Sequence, residues 1–308
     1  MKLSLLYTFV FITHLLSAQT HLFTVLATKG ENKVYKEKQW MTLKTGDQLF
    51  KNDKLQIGST GYIGLIHKTG KTVEIKTAGI YQTASLTSSF HQKNTSSYSK
   101  KYFNYILGFS TRKDTTSNIY YNVTASVERT SPKEGPYFFS PKTINAIKGI
   151  PFTVTWSHND LVESYQLLSL DERSLYRIDT KGDSSANIDF TNISPNTIVL
   201  GGVFDKSSTS LQDNFFQKIS VKENKTILQE YKRILKEQDM NTATGHLVMA
   251  AFFEKNKLTQ YAISHLYLAL KQEKEVTTYQ NIYLNYLLQH NILITDHESD
   301  PELLDIKK

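Results

Sequence analysis

A chain of 308 residues with 39% apolar side chains is long enough for two or three domains, each with a core of its own. It has no cysteine, which excludes disulfide staples, thiolate nucleophiles and zinc–sulfur sites, so the domains must hold by packing. The net charge of +7 comes from scattered lysines and reads as a solvated surface, with attraction to acidic envelope polymers or anionic lipid as the alternative.

Residues 1–18 read as a cleavable secretory signal. Lys2 gives a positive start, residues 3–16 are apolar apart from Ser4, Thr8, Thr13 and His14, and small Ser17 and Ala18 precede polar Gln19 and Thr20. The apolar run is shorter than a bilayer span. No cysteine follows it to carry a lipid anchor, and no later segment has transmembrane length. The expected location is extracytoplasmic, periplasmic or secreted, in a bacterium.

Residues 21–110 read as a β unit ending in a short helix. An apolar, β-branched run at 22–27 and strand-like runs at 40–43, 48–50 and 55–57 are separated by turn signals at 45–47, 51–53 and 59–61. Residues 62–67 and 72–76 flank Lys68, Thr69, Gly70 and Lys71 as a hairpin. A Ser- and Thr-rich loop is expected at 85–99. Tyr102, Tyr105 and Ile106 have helical spacing within 98–107. Residues 111–136 form the expected linker, with a short strand at 120–127 and then Pro132 and Pro136.

Residues 137–222 return to strand patterning. The runs at 152–156, 165–167 and 175–178 alternate, and with those at 188–190, 197–203 and 215–221 they suggest about seven strands, the count of an immunoglobulin- or fibronectin-like sandwich, with Trp156 as its core plug. From Thr226 the period becomes helical. Thr226 and Gln229 have capping-box spacing. Apolar stripes follow: Ile227, Leu228, Tyr231, Ile234 and Leu235; then Leu247, Val248, Ala251 and Phe252. Leu258, Tyr261, Ala262, Leu266, Ala269 and Leu270 form a third, and Tyr279, Ile282, Tyr283, Tyr286 and Leu287 a fourth. Four amphipathic helices over 223–294 and a tail at 295–308 complete a multidomain β + α chain.

Two stretches resemble known families. Trp40, Leu43, Gly46 and Asp47, then Asp53, Leu55, Ile57 and Gly58, then 61–67, Gly70, Gly79, Ile80 and Tyr81 are similar to the FecR-type extracytoplasmic β domain. The resemblance implies a small β roll. FecR-type sensors place a cytoplasmic segment and a membrane span before that domain. Here a signal-like leader stands in that place, so only the β module carries over. Ala250, Phe253, Ala262, Ala269 and Leu270 resemble the packing positions of a tetratricopeptide hairpin, and a generic helical hairpin fits them equally.

The chemistry is sparse. The sequence shows no Gly-x-Ser-x-Gly elbow, no His-Glu-x-x-His helix and no phosphate loop. Gly58, Ser59, Thr60 and Gly61 lie between strands and read as a turn. The nine histidines have no metal-ligand spacing. The carboxylate pairs Asp171–Glu172 and Asp179–Asp183 fall in turns, where nothing raises a carboxyl pKa, and 179–189 fails the calcium-loop spacing. Lys100, Lys101, Tyr102 and Tyr105 could stack sugars or bases, and an amphipathic packing helix is the preferred reading. The expectation is a non-catalytic exported binding or scaffold protein with no catalytic, metal or cofactor residues. Its ligand-binding residues are unassigned and its partner is a protein or envelope polymer, not a nucleic acid. The helices at 226–290, closed by a tyrosine-rich last helix, are the expected interaction element. A periplasmic regulatory component and an unrecognised hydrolase are the alternatives.

Overall fold

The computed structural model describes residues 21–88, 98–111, 136–211 and 217–292. The signal-like leader, the strand expected at 120–127 with nearly all of the 111–136 linker, and the tail at 295–308 lie outside the described residues. The chain carries several antiparallel sheets and a C-terminal helical region, stacked in layers.

The outermost layer is the four-stranded sheet β3-β2-β5-β8, built from Asn32–Lys36 (β2), Gln39–Thr42 (β3), Lys54–Ile57 (β5) and Gly79–Gln82 (β8). The next is β4-β1-β6-β7, built from Phe23–Lys29 (β1), Gln48–Leu49 (β4), Tyr62–His67 (β6) and Thr72–Ile75 (β7). Val34, Leu55 and Ile57 of the outer sheet meet Phe23, Val25, Ile63, Leu65 and Ile75 of the inner one in a closed core. All six residues of β6 are buried. An alternating strand buries both faces only when both are covered. Ile63 and Leu65 face the sheet–sheet core, while Tyr62 and Ile66 belong to a second core on the other side.

That second core is formed by helices. A 3-10 turn at Tyr98–Tyr102 leads into α1 (Phe103–Thr111); α2 (Lys225–Glu237), α3 (Ala243–Lys255), α4 (Thr259–Gln272) and α5 (Thr277–Gln289) follow later in the chain. The expected loop at 85–99 begins instead as a 3-10 turn, Thr83–Thr87. The N-cap of α2 is Asn224, whose side chain accepts from the Ile227 amide, rather than Thr226. Nor is α3 amphipathic: its first eleven residues, from Ala243 to Phe253, are buried. A helix that is apolar all round must be surrounded, and α3 packs against α1, α2, α4, β6 and β7.

Beyond the helices lies the second β unit. Its larger sheet, β12-β11-β14-β15-β9, uses Thr143–Ile147 (β9), Ser164–Leu168 (β11), Ser174–Asp179 (β12), Ile198–Phe204 (β14) and Gln217–Lys222 (β15), with β9 parallel to β15. Phe152–Thr155 (β10) and Ser185–Ile188 (β13) form a two-stranded sheet. Trp156 is 2% exposed and stacks on Tyr165 at 6.1 Å, with the Phe138 ring edge-on to both. One continuous core runs from β1 and β6 through the helices into this second unit.

Candidate ligand-binding surface

The helices are fastened to both β units by polar contacts as well as packing. On the first unit, the Glu74 Oε1 atom accepts from the Tyr62 hydroxyl at 2.9 Å and from the Thr244 amide at 2.9 Å, in the first turn of α3. A carboxylate at a helix N-terminus satisfies a free N–H and opposes the helix dipole. The Tyr62 proton is committed to Glu74, so the Tyr279 hydroxyl on α5, 2.7 Å away, donates to Tyr62. Burial, and then the neighbouring hydroxyl and carboxylate, push the Tyr62 phenol far up. Lys76 Nζ stands 3.2 Å from Glu74 Oε2 and also pairs with Glu273. Gly64 makes this approach possible: a Cβ there would lie 2.7 Å from Thr244 Cγ2 and within 3.1 Å of both tyrosine hydroxyls.

On the second unit, α4 covers the open edge of β10. The Thr153 amide donates to Ser264 Oγ at 2.8 Å, and Gln260 Nε2 donates to the Thr153 carbonyl at 2.7 Å. Two side chains one helical turn apart thereby replace a neighbouring strand and close an edge that would otherwise pair with another chain. The Tyr261 hydroxyl accepts from the Ile147 amide at 2.6 Å and donates to the Ile150 carbonyl at 3.2 Å. Tyr279, Tyr283 and Tyr286 are all buried. The tyrosine-rich last helix is turned inward: Tyr279 meets Tyr62, and Tyr283 meets Thr155 at 3.3 Å.

Histidines distant in sequence do meet. His246 on α3 and His265 on α4 face each other with Nδ1 atoms 2.9 Å apart. One nitrogen must donate and the other accept, so the two rings cannot both be protonated. Burial holds His246 down at about 4, and burial with the neighbouring ring holds His265 well below the ordinary imidazole value. Spacing could not reveal a pair 19 positions apart. Among the described residues, no three His, Asp or Glu side chains converge as a metal site would require. Asp171 lies exposed, its carboxyl held low by the Ser169 hydroxyl, and Asp179 pairs with Arg177 at 2.8 Å. In the basic–aromatic stretch Tyr102 packs on Phe252 and Lys101 pairs with Glu230, while Tyr105 is 42% exposed. A recess between Phe109, Ile282, Asn285 and Tyr286 measures about 10 Å³, room for one water at most.

What remains open is the outer face of β3-β2-β5-β8. Register fixes what it shows. Tyr35 is opposite Trp40 on one side and Lys54 on the other, and Lys54 is opposite Gln82. In the next row Lys33 lies between Thr42 and Gln56, and Gln56 is opposite Ile80. All eight are exposed and none is acidic. Trp40 is 40% exposed and Ile80 66%. The Trp40 and Tyr35 rings are 5.2 Å apart and inclined at 58°, forming an angled cradle. Among the described residues neither Lys33 nor Lys54 has an ion-pair partner. Three inter-strand gaps make each row about 14 Å long. A second group of exposed apolar side chains, Leu175 and Tyr176, sits on the edge strand β12.

No family model matches the chain, and no curated protein matches it. Among solved structures, a protein described as a cell surface anchoring domain aligns at 22% identity over 21% of this chain and 86% of its own, with a TM-score of 0.20. SGBP-B of the Bacteroides ovatus mixed-linkage glucan utilization locus, solved with a mixed-linkage heptasaccharide, aligns at 9% identity and a TM-score of 0.19. That alignment covers 64% of this chain, which spans 60% of the other. Both scores are too low to assign a fold. No described helix is long and apolar enough to cross a membrane.

Proposed function

We propose that this chain is a non-catalytic binding or scaffold protein of the bacterial cell envelope, and that it binds through its β faces rather than its helices. The observation that carries the reading is the outer face of β3-β2-β5-β8. It is a platform of aromatic, amide and lysine side chains on a sheet whose other face buries Val34, Leu55 and Ile57 against the inner sheet. A rigid sheet presents such groups with little ordering cost on binding. The helices, by contrast, turn most of their large apolar side chains into the core they share with the two β units, with Tyr105 and Leu235 the exposed exceptions among the described residues.

Other features support the finer parts of the reading. Leu43, Leu55 and Ile57 of the FecR-like motif are core residues, and Gly46 and Gly70 take the positive φ that tight turns need. The parallel β9–β15 pair and the Trp156 plug fit an immunoglobulin-like sandwich. Ala250, Phe253, Ala262, Ala269 and Leu270 are buried in the α3–α4 region, in keeping with a tetratricopeptide-like hairpin. The signal-like leader supports an extracytoplasmic location.

The test is co-sedimentation of the full chain with isolated envelope fractions, namely sacculi, surface polysaccharide and membranes. Release of reducing ends and of amino groups is followed in the same samples. Saturable retention on a fraction with no release is expected. Absence of retention on every fraction overturns binding, and steady release of product overturns the non-catalytic reading.

A further inference from the structure

We infer that the outer face of β3-β2-β5-β8 binds an acidic polysaccharide, with sugar rings stacked on Trp40 and Tyr35 and the polymer's carboxylates paired to Lys33 and Lys54. This rests on the binding reading above and gives that binding a site and a ligand class.

Three features point to this ligand. The first is the exposed aromatic pair. Large aromatic rings are normally buried, and a Trp–Tyr cradle kept open on a well-packed sheet offers a π-face to the C–H face of a sugar. The second is charge. Tyr35 has Lys54 beside it across the sheet and Lys33 two residues away along the strand, so both cations border the cradle. With no acidic residue among the eight outward positions, the platform is complementary to anions, in a chain of net charge +7. The third is the supply of hydroxyl partners. Gln56, Gln82 and Thr42 carry both donors and acceptors, as a polyol requires.

The charge spacing distinguishes this ligand from a single-stranded nucleic acid, which also stacks on aromatic platforms. A nucleic acid carries a charge on every residue and is held by a groove dense in cations. Two lysines among eight outward residues suit a polymer in which carboxylated sugars contribute charge and neutral hydroxyls contribute most contacts. Each row runs from one edge strand, β3, to the other, β8.

The experiment measures affinity of the full chain for polygalacturonate, for methyl-esterified polygalacturonate and for oligothymidylate, by titration calorimetry and affinity electrophoresis. Polygalacturonate should bind, and raising salt from about 0.05 M to about 0.5 M should weaken it as the lysine contacts are screened. Trp40→Ala should weaken binding roughly tenfold, the loss of one stacked ring. A Lys33→Gln, Lys54→Gln double variant should bind polygalacturonate weakly with little salt dependence, and the wild-type chain should treat the esterified polymer in the same way. These substitutions are at exposed positions, and unchanged circular dichroism confirms that each variant folds.

Unchanged affinity in both variants overturns the assignment, as does tighter binding of oligothymidylate than of polygalacturonate. If the chain is retained on envelope fractions yet binds no polygalacturonate, the polysaccharide assignment fails and the binding function stands. If it is retained on nothing, both fail.

Discussion

Replacing Glu74 with alanine removes the acceptor on which the junction between the first β unit and the helices depends. Its Oε1 receives two buried donors, the Tyr62 hydroxyl and the Thr244 amide, each at 2.9 Å. Leaving a buried donor unsatisfied costs about 1–3 kcal/mol, so two cost about 2–6 kcal/mol. Water entering the vacated space restores part of this, and the expected net loss is about 2–3 kcal/mol. The Lys76 contact adds little, because that lysine is half exposed and keeps Glu273. Glu74→Gln retains a carbonyl oxygen for both donors and should lose less than about 1 kcal/mol. Urea unfolding can be followed by fluorescence, since the two tryptophans lie one in each β unit. A Trp156→Phe background isolates Trp40, which reports on the first unit. An alanine variant within about 0.5 kcal/mol of wild type, or one no worse than the glutamine variant, would refute the argument that this carboxylate holds α3 to the sheet.

Gly64→Ala forces a methyl group against Thr244 Cγ2 and two tyrosine hydroxyls and should cost about 1–3 kcal/mol in the same urea assay; a neutral effect would mean the helices sit less tightly on β6 than described. Trp156→Ala deletes a fully enclosed indole and should cost about 3–5 kcal/mol in chemical unfolding followed by circular dichroism; a loss below about 1 kcal/mol would contradict its place in the core. The His246–His265 pair predicts acid sensitivity. Both rings have folded pKa values below the ordinary 6.5, so above that pH they contribute no slope. As pH falls from about 6.5 to about 4, the unfolded chain takes up protons that the folded chain refuses, and stability drops by up to about 1.4 kcal/mol per pH unit for each ring. Urea midpoints measured from pH 7 to pH 4.5 should therefore decline, and a His246→Gln, His265→Gln double variant should decline less; equal slopes would contradict the prediction.

Much of the architecture was legible because strand and helix periods are local. The runs at 62–67 and 152–156 announced β6 and β10 directly, and the apolar stripes located four C-terminal helices. The strand β2 leaves little trace in the sequence because Asn32–Lys36 has a single strongly apolar inward residue, Val34, with Asn32 and Lys36 at the other inward positions. Its hairpin to β3 turns at Glu37 and Lys38, both at positive φ, without the Gly or Asn that normally marks such a turn. Without that hairpin the cross-strand register of Tyr35 and Trp40 could not be read, and Trp40 counted only as a motif residue. The character of α3 departs from its apolar stripe for a different reason. Met249, Ala250 and Phe253 lie off the stripe assigned to it, and that excess of apolar residues was the available signal for a helix surrounded on all sides. The inward turn of the last helix depends on Tyr62 and Thr155, which lie more than a hundred residues away and leave no local trace.

The central claim is that ligand binding belongs to the outer sheet while the helices join the two β units. Amide hydrogen exchange of the full chain, with and without a saturating envelope polymer, addresses both halves at once. The account predicts slow exchange throughout α3 and α4 in the free protein, with added protection on binding confined to β2, β3, β5 and β8. Ligand-induced protection that appears instead in α2 to α5, with the outer sheet unchanged, would contradict it.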